Sequence, residues 1–286
     1  MRRLFVILAI ALFARAEQKN VKLLTGQTDL ELQRSMNLIR ASLGTHCDYC
    51  HVVKEEWDWA SDEKPAKKRA REMIQMVAEL NRTQFGGRAV ISCYTCHRGS
   101  TRVMNLVPLP QTAPPFPTPV AEKPTLPSTA AVIAKYAAAM GDVTRLAPHV
   151  LIGEATKNGK TFPIEFREGD TSPLADAFAV PLPSEIGEDS STFRKDKVGD
   201  RDAWVVQRGN PHEVYRRFFF DTESGLLLRS VLYTPRPMIG TIPQQTDYED
   251  YRDIGGTKFP FRIRVSLVDP WSSVTRQYTT VEPAPP

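Results

Sequence analysis

The sequence predicts two unlike halves, an α-helical module followed by an α+β domain with an antiparallel curved sheet or half-barrel and a helix. Three observations predict it. The motif C-x-x-C-H occurs at residues 47–51 and again at 93–97, each time after an amphipathic helical pattern. Residues 108–127 hold eight of the chain's 23 prolines. Beyond them one helical stretch gives way to runs of aromatic, aliphatic and β-branched residues divided by turn residues. The chain's 286 residues leave room for both halves.

The chain opens Met-Arg-Arg, runs apolar from Leu4 to Ala14 and reaches Ala14-Arg15-Ala16 just before Glu17. This is the pattern of a secretory signal peptide, and the run is shorter than the ~20 apolar residues of a membrane span. Residues 1–16 are therefore set aside. No cysteine follows the expected cleavage site, so no lipid anchor is expected there. Without Arg2, Arg3 and Arg15 the 37 basic side chains fall to 34 against 33 acidic ones. The near balance gives no argument for nucleic acid, and no basic groove with interleaved aromatics is present.

The first helix is expected from Thr28 to Leu43. Thr28 and Glu31 form a capping box, Leu32, Met36, Ile39 and Leu43 recur on one face, and Gly44 supplies a stop. Cys47-Asp-Tyr-Cys50-His51 follows. A two-residue gap holds both thiols on one turn of backbone, where each can form a thioether with a vinyl group of one porphyrin. The adjacent histidine then faces the iron, which is the attachment signature of a c-type haem. Paired zinc ligands or a redox dithiol would leave the repeated histidine unexplained. Met36, eleven residues before Cys47, is the candidate distal ligand, giving the Met/His pair that raises a cytochrome's potential.

The second helix is expected from Pro65 to Asn81, with Pro65 in its first turn. Met73, Met76, Val77 and Leu80 form its apolar stripe, and the basic run Lys67, Lys68, Arg69, Arg71 reads as a solvated face. Gly86-Gly87 breaks the pattern before Cys93-Tyr-Thr-Cys96-His97. The two motifs use all four cysteines of the chain. Two covalently held haem c groups (iron) are therefore expected, making residues 17–107 a multihaem c-type cytochrome module. Haem attachment of this kind belongs outside the inner membrane, so the chain is expected in the periplasm, free or bound to a membrane through a partner. Because the haems would form much of so small a core, this module is expected to be largely unfolded without them.

Ala70-Arg71-Glu72-Met73-Ile74-Gln75-Met76, Leu80-Asn81 and Val90-Ile91-Ser92 leading into Cys93–Gly99 resemble the haem segments of the cytochrome subunit of photosynthetic reaction centres. The resemblance covers roughly residues 25 to 110. It implies that the first methionine of the M-x-x-M pair is the distal ligand, giving Met73 with His97 for the second haem and Met36 with His51 for the first. Met76 and Met104 are further candidates, while His46, His149 and His212 lie outside the motifs. The family's cytochrome resembles two such modules in tandem, and this chain carries one.

Residues 108–127 form a proline-rich linker able to span up to roughly 60 Å at about 3.1 Å per residue. The second domain, 128–286, begins with a helix from about Ser128 to Met140. Strands are expected at Ala203 to Gln207, Glu213 to Phe220, Gly225 to Tyr233 and Tyr248 to Asp253, then a Gly255-Gly256 turn. In the strand after it, Phe261, Ile263, Val265 and Leu267 alternate with Arg262, Arg264 and Ser266. Phe220-Asp221, Gly225-Leu226-Leu227-Leu228, Asp247-Tyr248, Asp250-Tyr251-Arg252 and Gly256-x-Lys258-Phe259-Pro260-Phe261 resemble periplasmic lipoprotein-carrier folds, which hold acyl chains in a half-barrel.

These readings point to a single-electron carrier without a substrate-transforming site. Cys47, Cys50, Cys93 and Cys96 tether the haems, His51 and His97 ligate proximally, and Met36 and Met73 complete the coordination. Its partners would be redox proteins, among them a membrane-bound photosynthetic reaction centre by resemblance, or the components of a general respiratory chain. The other functional class is a lipid- or quinone-binding β domain with an attached redox module.

Overall fold

The computed structural model describes residues 19–103, 125–142, 148–167, 175–187, 189–210, 213–269 and 272–283. The expected signal peptide, most of the proline-rich linker, Met104 and His212 lie outside them. In the N-terminal half, α1 (Asp29–Leu43) starts on the predicted capping box. Thr28 accepts from the Glu31 backbone, and Glu31 accepts from the Thr28 backbone. It ends on Gly44 at φ 60°, where a Cβ would lie 1.9 Å from the Gly99 carbonyl oxygen. Glycine is therefore required both by the left-handed turn and by the approach of the second motif's loop.

A 3-10 turn (Cys47–Tyr49) and a small hairpin of β1 (Val52–Val53) and β2 (Trp57–Asp58) carry the first motif. Helix α2 (Pro65–Gln84) follows, then α3 (Cys93–His97). The buried face of α2 is Lys67, Ile74, Val77 and Asn81. This corrects the expected stripe. Met76 and Leu80 are exposed and Met73 is half-buried, because the helix turns Ile74 toward α1 and Asn81 toward the second motif.

The C-terminal half opens with α4 (Thr129–Met140), capped by Ser128. One open sheet of nine strands follows, all pairings antiparallel, in the order β4-β3-β11-β10-β9-β8-β7-β6-β5. The strands are β3 (Pro148–Lys157), β4 (Lys160–Arg167), β5 (Ser190–Val198), β6 (Arg201–Arg208), β7 (Tyr215–Asp221), β8 (Leu227–Arg236), β9 (Gly240–Asp253), β10 (Lys258–Leu267) and β11 (Val274–Pro283). The short helices α5 (Ala175–Phe178) and α6 (Pro183–Gly187) join α4 on one face. The predicted strands correspond to β6 through β10, and Gly255-Gly256 turns β9 into β10. Strands β3, β4, β5 and β11 were not among those predicted, although Phe162, Ile164 and Phe166 alternate in β4.

Period-two alternation sorts the sheet's two faces. Phe218, Phe220, Ile263, Val265 and Tyr278 pack with Tyr136 and Met140 of α4, while Phe219, Leu228 and Val231 pack on the opposite side. Polar tips inside the core find acceptors. The hydroxyl of Tyr136 donates to Pro181 O (2.8 Å), that of Tyr248 to Ala179 O (3.0 Å) and that of Tyr251 to Leu227 O (2.8 Å). Burial pushes Tyr248 up to about 12, so it stays a neutral donor. These side chains pack between the helices and the sheet.

The two halves are docked. Leu24, Leu38, Ile39 and Ile74 share one buried cluster with Ile239 and Ile242 of the β8–β9 hairpin. Glu31 pairs with Arg236 at 2.6 Å, and Arg40 pairs with Asp269.

Candidate haem-binding site

Each motif is built by local chemistry. In the second, Ser92 is the N-cap of α3. Its hydroxyl accepts from Thr95 N (3.3 Å) while the Thr95 hydroxyl accepts from Ser92 N (3.0 Å). This reciprocal cap folds Cys93 to His97 into one helical turn. Cys93 is half-buried and Cys96 exposed, and burial pushes the Cys93 thiol up. His97 Nδ1 lies 2.9 Å from Ser100 O. A proton on Nδ1 satisfies that carbonyl and leaves the Nε2 lone pair free, the tautomer that a metal-binding imidazole needs.

The first motif is held from α2. The Lys64 ammonium donates to Asp48 O. His51 is half-buried with the edge of its ring against Trp59 (centroids 5.1 Å, 68°), and Trp57 stacks on Trp59 at 4.5 Å. Burial, then the Lys67 charge, holds the His51 imidazole below its usual range, so it is neutral near pH 7. Its Nδ1 is buried with no hydrogen-bond partner among the described residues. Cys47 is exposed and Cys50 half-buried, with its thiol pushed up by burial.

Beside this motif lies a cleft of about 960 Å³ between α1, the β1–β2 hairpin and the start of α2. Asn37, Arg40, Cys47, Trp57 and Lys64 line it, together with Asp269 from the second half. Met36 is half-buried on the adjoining side of α1, packed against the cluster that joins the halves. On α2, Met73 is half-buried and Met76 is 45% exposed. His46 is exposed at the cleft. Among the described residues, no three His, Cys, Asp or Glu gather as a metal-binding group, so the cysteine pairs remain two separate motifs.

The basic run on α2 is not a solvated face throughout, which corrects the sequence reading. Lys67 is only 8% exposed and donates to Trp59 O (2.7 Å), Ala60 O (3.1 Å) and Ser61 O (2.8 Å). Arg71 pairs with Asp62 at 2.8 Å. Sequence reasoning missed Lys67, Asn81, Arg40 and Ser100. The signal for the first two was the seven-residue spacing of Lys67, Ile74 and Asn81, one face of a helix regardless of polarity.

Haem is the group implied by both motifs, and the residues fit it. Ten large apolar side chains between Leu30 and Val103 stay exposed, against three in the described part of the β domain. The ten include Tyr49 and Tyr94 within the two motifs and Trp57 on the cleft beside the first. Among the described residues no helix is long and apolar enough to cross a membrane.

Residues 11–139 match the model of a family described as the photosynthetic reaction centre cytochrome C subunit. Cytochrome c-554 of Chloroflexus aurantiacus is 32% identical over 88 residues, which is 28% of this chain and 20% of that protein. The photosynthetic reaction center cytochrome c subunit of Rubrivivax gelatinosus is 35% identical over 92 residues, 30% of this chain and 24% of that protein. The matches thus span a quarter or less of these relatives' lengths. Among solved structures, a LolA superfamily protein from Nitrosomonas europaea aligns with a TM-score of 0.35 and 10% identity over 55% of this chain and 94% of that one. A DUF1329 family protein from Desulfovibrio piger aligns with a TM-score of 0.34 and 10% identity over 54% and 92%. The resemblance read from the motifs therefore holds to the reaction-centre cytochromes in the N-terminal part.

Proposed function

We propose, from an N-terminal part similar to reaction-centre cytochrome c subunits, that the chain is a periplasmic electron-transfer protein with two covalently bound c-type haems and no substrate-transforming site. Cys47 and Cys50 would tether one haem and Cys93 and Cys96 the other. His51 and His97 would be the proximal ligands, Met36 and Met73 the distal ones. When bound, the haem iron supplies a one-electron couple. The chain's own part would be to present the His51 and His97 imidazoles to the iron and to offer the Met36 and Met73 thioethers. The observation that carries the reading is the His97 ring, whose Nδ1 is engaged by Ser100 O so that Nε2 is the free lone pair. The flanking stripe of Met73, Met76 and Leu80 on α2 supports it, because that stripe leaves apolar surface for a macrocycle.

Electron delivery to a membrane-bound reaction centre follows from the family resemblance. Service to a respiratory chain is the other role for the same chemistry. A docking role for the β domain is supported by its contacts with the haem-bearing half, where Ile239 and Ile242 share a cluster with Leu38, Ile39 and Ile74; a lipid or quinone carrier is the other reading. Export of the full chain in a host able to mature cytochromes should give two covalent haems per chain. Cys93→Ala with Cys96→Ala should give one, and Met73→Ala should let an external ligand bind one iron. A mature chain without covalent haem would refute the reading. Flash-induced haem oxidation in membranes, lost on deletion of the protein, would distinguish the photosynthetic role from the respiratory one.

A further inference from the structure

The two motifs sit in different electrostatic settings. Around His97 the ring nitrogen has its own carbonyl, Ser100 O at 2.9 Å. Around His51 the nearby loop 59–61 is gathered by a buried ammonium, with all three of its carbonyls turned to Lys67. Trp59 of that loop is the residue packed against the His51 ring. Lys64 and Arg71 add positive charge at the same ring. Asp62 is the counter-charge, 2.8 Å from Arg71, 3.5 Å from Lys67 and 3.4 Å from Lys22, and Asp58 also acts on Lys67. Lys67 is the most deeply buried of these cations and so the least screened.

We propose that Lys67 is a positioning residue that sets the redox midpoint of the first haem above that of the second. The proposal rests on the two-haem reading. Two physical effects act in the same direction. A fixed positive charge beside an iron favours the reduced state, which carries one positive charge fewer. The Trp59 carbonyl is taken up by the Lys67 ammonium and His51 Nδ1 has no hydrogen-bond partner among the described residues, so His51 would be less electron-donating than His97, whose Nδ1 has Ser100 O. One electron shared by the pair would then rest on the first haem. Transfer within the pair would oxidise the second iron and reduce the first by one electron each, with no proton moved.

The test is a spectroelectrochemical titration of the full-length holoprotein, with covalent haem counted in every preparation. The wave displaced by Met36→Ala identifies the first haem. Lys67→Gln should lower that midpoint by up to about 59 mV, a tenfold change in a one-electron equilibrium, and leave the other in place. Lys67→Arg, which keeps the charge, should restore most of the separation. Asp62→Asn should move the same midpoint upward, and it decides the question alone should Lys67→Gln fail to mature with two haems. Two haems per chain with unchanged midpoints, or with both midpoints moved equally, would overturn the proposal. Absence of covalent haem would instead defeat the reading beneath it.

Discussion

Asn81 is fully buried and makes every hydrogen bond its amide allows. Its Nδ2 donates to Ile91 O (2.8 Å) and Pro237 O (2.7 Å), and its Oδ1 accepts from Val90 N (3.1 Å) and Ile91 N (2.8 Å). One side chain thus ties α2 to the approach of the second motif and to the β8–β9 hairpin. An alanine there would remove the side-chain partner of the Ile91 N–H and of the Ile91 and Pro237 carbonyls, while Val90 N keeps Arg88 O; a buried group left unpaired costs about 1–3 kcal/mol. With partial relaxation, Asn81→Ala should cost about 2–4 kcal/mol in denaturant unfolding of the holoprotein. A cost under about 1 kcal/mol would mean that water replaces the amide. In the sequence this residue was one member of a family-like motif. Its role as a joint was illegible because Pro237 is 156 positions away.

At the scale of elements, α1 and β8 are joined by a carboxylate that also caps its own helix. Glu31 accepts from Thr28 N (2.9 Å), from the Thr28 hydroxyl (3.0 Å) and from Arg236 (2.6 Å). The Thr28 backbone contact first, then its hydroxyl and Arg236, hold the carboxyl below its ordinary range. A depressed carboxylate contributes stability that is complete above its unfolded value of about 4.3 and is lost as pH falls through the lower folded value. Glu31→Gln should therefore lower the thermal midpoint at pH 7 and differ much less from wild type near pH 3. Equal differences at both values would show that the contribution is not electrostatic. Thr28 and Glu31 were readable as a capping box from their spacing, whereas Arg236 came into play only when the sheet was in place.

For the molecule as a whole, the haem-bearing half is not closed by its own residues. Ile239 is fully buried and Ile242 nearly so, both within the cluster of Leu38, Ile39 and Ile74. Burying such a side chain stabilises by roughly 1.5–3 kcal/mol. Close fit adds to this, since a Cβ on Gly240 would lie 2.2 Å from that of Ser92, the cap of the second motif. A chain ending at residue 107 should therefore be protease-sensitive even when both haems are attached. Supplying residues 125–286 as a separate chain should restore resistance. A truncated holo-module with the thermal midpoint of the full chain would show that the hairpin is dispensable.

What the sequence by itself determined is local: the caps, the C-x-x-C-H turns, the helix lengths and the alternation of β6 to β10. Each of these depends on residues only a few positions apart. Tertiary structure alone decided which face of α2 is buried, because Ile74 and Asn81 answer to α1 and to the β8–β9 hairpin rather than to the helix's own apolar count. It likewise turned Lys67 from an expected surface charge into a buried clamp, since three carbonyls of the 59–61 loop compensate the ammonium that water would otherwise solvate. The edge strands β4 and β5 each have one side unpaired among the described residues. Their placement comes from partners already in the sheet.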